Sequence, residues 1–292
     1  MRLDTPEGNL APSRRAIASS FFVAGYALAL SPPAAAAITT SAEGLVIEEP
    51  VLNGAGGYHL PSFLARPAQA GRHPAVIVVN EVFGIHEYIK DICRRLAHAG
   101  YVAIAPDYFD RAGDPATMSD FNQIRPIVAT ATYEQVMGDT AGAVEFLTHS
   151  PHVNASKLAI TGFCWGGNVV WMAAARFPQL KAATAWYGRL APPAQGDFGY
   201  EPGRPWPLDI AGDLHAPVLG LYGAQDQGIA QASVEQMRAA LAAAHDRTHS
   251  EIIVYPDAGH GFHADYRTSY NEADARDGWT RMLAWFRSHG VS

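Results

Sequence analysis

Six residues, Gly162-Phe163-Cys164-Trp165-Gly166-Gly167, stand between a short apolar run, Leu158-Ala159-Ile160-Thr161, and an apolar stretch of helical character at 168–177. A chain that passes from a buried strand into a helix within so few residues must turn sharply, and flanking glycines leave room for its neighbours. The central residue is then strained, with its side chain lifted into the open. At Cys164 that side chain is a thiol, and a helix N-terminus behind it favours the thiolate. A buried structural cysteine beside a glycine-rich turn is the ordinary alternative. The order strand, turn, helix argues against it.

The rest of the chain has the alternation such a turn requires. Residues 46–52 and 58–65 read as two early strands around the turn Asn53-Gly54-Ala55-Gly56-Gly57. Residues 75–79 are continuously apolar, as expected of a strand covered on both faces. Ile89, Ile92, Cys93, Leu96 and Ala97 follow at helical spacing up to Gly100, which places Cys93 in the core. A strand at 101–105 ends at Pro106, and Val136, Ala143, Val144 and Leu147 mark the helix before the Leu158 strand. Later strands at 217–222 and 251–255 enclose a helix carrying Val234, Met237, Leu241 and Ala244. Trp279, Met282, Leu283 and Phe286 define the last helix. Short buried strands interleaved with helices imply an α/β domain with a mostly parallel central sheet flanked by helices.

A thiol nucleophile needs a base, and the base needs an orienting group. His260 follows the strand at 251–255 and Asp226 follows the strand at 217–222. Both therefore fall at the carboxyl ends of parallel strands, where open α/β sheets place their sites. The chain order Cys164, Asp226, His260 is the nucleophile–acid–histidine order of the α/β-hydrolase fold, which is the fold expected. Asp257 competes for the acidic position, but it shares the loop of His260 and would have to fold back.

Composition removes other classes. With 292 residues, 48% hydrophobic and 17% charged, the chain is too apolar for a disordered protein. A net charge of −7 opposes nucleic-acid binding through a basic face. Two cysteines are too few for a disulfide scaffold, and no His/carboxylate cluster has metal-ligand spacing, so no metal is expected. A redox role for Cys164 would lack a resolving cysteine.

Residues 1–37 read as an export leader. Ser13-Arg14-Arg15-Ala16-Ile17 is a twin-arginine pattern, followed by an apolar run at 17–30, Pro32-Pro33 and the small residues Ala34 to Ala37. That run is shorter than the roughly 20 residues that span a bilayer, so no stable membrane span is expected once the leader is removed. The leader carries Arg2, Arg14 and Arg15 against Asp4 and Glu7, a net +1, which leaves −8 on the remaining chain. One domain, 38–292, is expected to work in the periplasm as a monomer or small homo-oligomer.

Four segments together resemble the dienelactone hydrolase family: Asn80-Glu81-Val82-Phe83-Gly84-Ile85, Pro106-Asp107-Tyr108-Phe109-Asp110-Arg111, the Cys164 turn and the His260 loop. The resemblance covers about 45–286. It implies hydrolysis of a butenolide ring ester, 4-carboxymethylenebut-2-en-4-olide, to maleylacetate, with no cofactor. It implies that Cys164 attacks the lactone carbonyl, that His260 oriented by Asp226 is the base, and that the backbone N–H groups of Trp165 and Val82 form the oxyanion hole. Glu81 would hold the resting thiol and rearrange when substrate binds. Arg111 would pair with the substrate carboxylate. A second family arginine, just beyond the catalytic histidine, is replaced here by His263, which leaves either His263 or Arg267 to serve and opens the way to a different small ester or lactone. The proline-rich segment 188–213, with Trp206, either caps the site or runs over the surface.

Overall fold

Strands with apolar side chains on both faces must be covered on both, and the connections that cover them here are helices. The computed structural model describes residues 38–244 and 248–292; the leader expected at 1–37 lies outside the described residues. The strands are β1 (Leu45–Glu48), β2 (Val51–Asn53), β3 (His59–Pro67), β4 (His73–Val79), β5 (Val102–Pro106), β6 (Val153–Phe163), β7 (Leu180–Trp186), β8 (Val218–Gly223) and β9 (Glu251–Tyr255). They run in the order β1-β3-β5-β4-β6-β7-β8-β9, with β2 paired to β3. Pairing is antiparallel around β3 and parallel from β5 to β9. The helices are α1 (Glu87–His98), α2 (Phe121–Thr130), α3 (Tyr133–His149), α4 (Trp165–Arg176), α5 (Gln231–Ala243) and α6 (Glu272–Ser288). This is the α/β-hydrolase architecture expected from the order of elements. None of the helices among the described residues is long and apolar enough to cross a membrane.

Three elements depart from the sequence reading, each for a local reason. The strand expected at 46–52 is broken between β1 and β2 at Pro50, which has no N–H to give to a ladder. Its carbonyl instead accepts the Ser62 hydroxyl at 2.5 Å. The strand β7 was not anticipated: its sequence, LKAATAW, is rich in alanine, which has weak strand preference, and burial between β6 and β8 decides its state. Helix α2 contains Pro126, a residue that argues against a helix from sequence; Asp120 caps it by accepting the Asn122 N–H at 2.9 Å.

The core centres on 75–79 of β4, on β5 and on 158–163 of β6, whose apolar residues are almost wholly inaccessible. Cys93 is buried among them, and burial raises its pKa. Where β6 passes into α4, backbone meets backbone. A Cβ on Gly162 would lie 2.5 Å from the Gly166 carbonyl oxygen, and one on Gly166 would lie 2.4 Å from that of Val79. No side-chain rotation relieves such a contact. Gly166→Ala is therefore expected to cost about 1–3 kcal/mol, lowering Tm by roughly 2–12 °C for a domain of this size. The control is Gly259→Ala, whose Cβ would meet nothing within 4 Å; thermal melts of the two variants make the comparison.

Candidate active site

The close approach of β4, β6 and α4 fixes the conformation of the residue between strand and helix. Cys164 has φ 57° and ψ −112°, a left-handed conformation that a residue with a Cβ rarely adopts. Its N–H donates to the Trp186 carbonyl at 3.0 Å and its carbonyl accepts the Gly167 N–H at 3.1 Å. These bonds pin the turn from both sides. Trp165 is the first residue of α4, so its N–H is one the helix cannot pair internally. Gly166 abuts the Val79 and Asn80 carbonyls, which brings the loop carrying Glu81 and Val82 against this first turn.

The three residues read from chain order meet in space. Cys164 Sγ lies 3.2 Å from His260 Nε2, and His260 Nδ1 lies 2.8 Å from Asp226 Oδ2. The other Asp226 oxygen accepts the N–H groups of Gly228 (2.7 Å) and Ile229 (3.0 Å), which orients the carboxylate. Asp257 is exposed, and the acidic position next to His260 is filled by Asp226. Burial opposes a charge on His260, but the Asp226 carboxylate and the Cys164 sulfur outweigh it and raise its pKa to about 10. At neutral pH a positive imidazole thus faces Sγ.

Glu81 is fully buried. Its Oε1 is 3.1 Å from Arg267 Nη2, while Oε2 accepts the Tyr266 hydroxyl at 2.6 Å and sits 3.6 Å from His86 Nε2. Burial pushes its pKa up, yet Arg267 and His86 overcome that and lower it to about 2. Glu81 is thus a permanent anion whose oxygens are engaged by this cluster.

The residues expected to bind substrate do not line the cavity beside Cys164. Arg111 makes a bidentate pair with Asp139, both bonds 2.7 Å, lies 4.1 Å from the Tyr58 ring centroid and donates to the Ala55 carbonyl at 3.3 Å. It ties the turn after β2 to α3 and does not line the cavity beside Cys164. Arg267 is spent on Glu81. His263 is 2% exposed, stacked between Phe163 (5.3 Å) and Trp279 (5.8 Å), with Nδ1 2.7 Å from the Tyr88 hydroxyl. Burial, aided by Arg95, lowers its pKa to about 3, so it is a neutral packing residue and no substitute for an arginine.

The cavity beside Cys164 and His260 has a volume of about 300 Å³. Trp165, Asn168 and Ile229 form its floor, and the segment 188–213 forms its roof through Phe198, Glu201, Arg204 and Trp206. That segment therefore caps the site. Asn168 was missed by sequence reasoning, although its position one helical turn beyond Cys164 puts it on the same face of α4.

Residues 60–290 match the model of the dienelactone hydrolase family. The chain belongs to that family. It is accordingly a hydrolase. A relative from Escherichia coli named "Putative carboxymethylenebutenolidase" is 48% identical over 268 residues, covering 91% of this chain and 96% of its own. A relative of the same name from Methylorubrum extorquens is 44% identical over 282 residues, 96% of this chain and 94% of its own. The crystal structure of a "Putative Dienelactone Hydrolase" from Klebsiella pneumoniae subsp. pneumoniae superposes with a TM-score of 0.76 at 47% identity, covering 83% of this chain and 98% of the other.

The buried neutral state of His263 has a measurable consequence. Its folded pKa, about 3, lies below the ordinary 6.5. The unfolded chain therefore binds more protons, and this contribution to stability is complete above pH 6.5 and is lost as pH falls towards 3. His263→Phe is expected to show a urea midpoint that changes less between pH 7 and pH 5 than that of the wild type, while being lower at pH 7 because Tyr88 loses its partner.

Proposed function

We propose that the protein hydrolyses a small ester or lactone with Cys164 as nucleophile, and that the substrate is the dienelactone 4-carboxymethylenebut-2-en-4-olide, opened to maleylacetate. The observation that carries this reading is the continuous chain Cys164–His260–Asp226, with links of 3.2 and 2.8 Å, at a strained turn facing a cavity. A positive imidazole beside sulfur is the arrangement in which a cysteine attacks as thiolate. Attack on the lactone carbonyl forms a C–S bond and a tetrahedral oxyanion. The N–H groups of Trp165 and Val82 receive that oxyanion, each such donor contributing roughly 3 kcal/mol at the transition state. Collapse breaks the ring C–O bond, and the His260 imidazolium gives its proton to the departing enolate oxygen, which leaves an acyl-thioester and a neutral imidazole. His260 then takes a proton from water, whose hydroxide displaces the sulfur and restores the thiolate.

The cavity volume sits at the small end of the range for ligand sites, which supports a compact substrate. The twin-arginine pattern at Arg14 and Arg15 supports export, so we place this chemistry in the periplasm.

Two experiments test the reading. Residues 38–292 produced without the leader are expected to turn over the dienelactone, and Cys164→Ala is expected to lower kcat by at least about 10³-fold; retained activity in that variant, or no turnover of any lactone or ester by the wild type, overturns it. Changing Arg14 and Arg15 to Lys in the full chain is expected to hold the protein in the cytoplasm, as read by cell fractionation.

A further inference from the structure

Arginines near the active site are mostly neutralised by the fold itself. Arg111 has Asp139, Arg267 has Glu81, and Arg95 has Asp91 and Asp265. Arg204, on the roof of the cavity, is treated differently. Among the described residues no carboxylate forms an ion pair with it. Its Nη2 donates to the neutral Asn168 Oδ1, its guanidinium lies 4.4 Å from the Trp206 ring centroid, and its buried Nε has no hydrogen-bond partner. Glu201, the carboxylate that attracts it most, is committed elsewhere: its two oxygens accept the Tyr133 N–H at 3.2 and 3.0 Å and so cap α3. A partly buried cation with no carboxylate in direct contact is held at a cost. A fold that supplies carboxylates to Arg111, Arg95 and Arg267 but only an amide oxygen to Arg204 leaves that charge for something that enters the cavity.

The placement of Arg204 relative to the thiol is equally defined. Asn168 lies four residues after Cys164, one turn of about 5.4 Å along the same face of α4. Its Oδ1 holds Arg204, and its Nδ2 donates to the Arg189 carbonyl at 2.8 Å, so one side chain ties two points of the roof to the helix that begins at the nucleophile. Arg189 and Glu201 line the same cavity as Arg204.

We propose that Arg204, positioned by Asn168, binds a carboxylate of the substrate carried a few bonds from the carbonyl that Cys164 attacks. Arg204 is thus a specificity-determining residue contributed by the roof segment, in the role that the family resemblance implies for Arg111. The proposal rests on the reading of Cys164 as nucleophile, and it names what that site selects: short anionic lactones over neutral esters.

The test compares kcat/KM for the dienelactone with that for neutral p-nitrophenyl acetate, because the ratio is insensitive to the fraction of each variant that folds. Charged hydrogen bonds of about 1.5–3 kcal/mol translate into a loss of roughly 10–150-fold. Arg204→Ala is expected to lose that much on the dienelactone, mainly through KM, and to change by less than about 3-fold on the neutral ester; Arg204→Lys is expected to recover part of the loss. Arg111→Ala is expected to leave the ratio unchanged. An Arg204→Ala variant whose ratio equals the wild type's, or an Arg111→Ala variant whose ratio collapses, overturns the proposal. Calorimetric titration of dienelactone into Cys164→Ala separates recognition from chemistry. In that background Arg204→Ala is expected to weaken Kd at least 10-fold, and unchanged binding overturns the proposal whatever nucleophile is used.

Discussion

At the junction of β4, β6 and α4 the backbones touch with no side chains between them, and the site is built outward from that contact. Gly162 and Gly166 are there because the carbonyls of Gly166 and Val79 occupy the space a Cβ would need. The same crowding leaves Cys164 a conformation at φ 57° and makes the helix begin immediately after it. The thiol, the unpaired amide of Trp165 and the loop bearing Glu81 and Val82 are therefore set by one packing constraint. His260 and Asp226 arrive from β9 and β8, whose parallel register carries their loops to the same end of the sheet.

Around that junction the protein keeps its buried charges in closed pairs. Asp226 answers His260, Glu81 answers Arg267, and Asp139 answers Arg111. For His260 and Glu81 the attraction of the partner overcomes a desolvation cost that would otherwise neutralise the group. The consequence for Glu81 is a pKa of about 2 with its oxygens engaged by Arg267, Tyr266 and His86. Any movement of Glu81 towards the thiol has to break those contacts.

The parallel sheet, the turn at Cys164 and the order Cys164, Asp226, His260 were legible because each is written in local pattern: apolar runs, paired glycines, and polar residues just past strand ends. The strand β7 was not, since Leu180–Trp186 owes its state to two neighbours and not to its own alanines. Helix α2 was hidden by Pro126. The roof was undecidable from sequence because a proline-rich segment has no periodicity, and only its contacts with Asn168 and α3 tell a cap from a surface loop.

Substrate recognition shows most plainly where one-dimensional reading stops. Arg111, His263 and Arg267 were singled out by position along the chain, and each has a polar chemistry suited to an anion. What a buried cation does, however, depends on whether the fold has already given it a carboxylate, and that partner is distant in sequence: Asp139 for Arg111, Glu81 for Arg267. His263 carries no charge at all, because burial has removed it. Arg204 has the same chemistry as Arg111 and a neutral amide where Arg111 has an acid. The difference between a structural clasp and a receptor for an incoming anion therefore lies in the partner, so in a chain with net charge −7 positive potential at the site is a matter of which arginine is left unanswered, and not of how many there are.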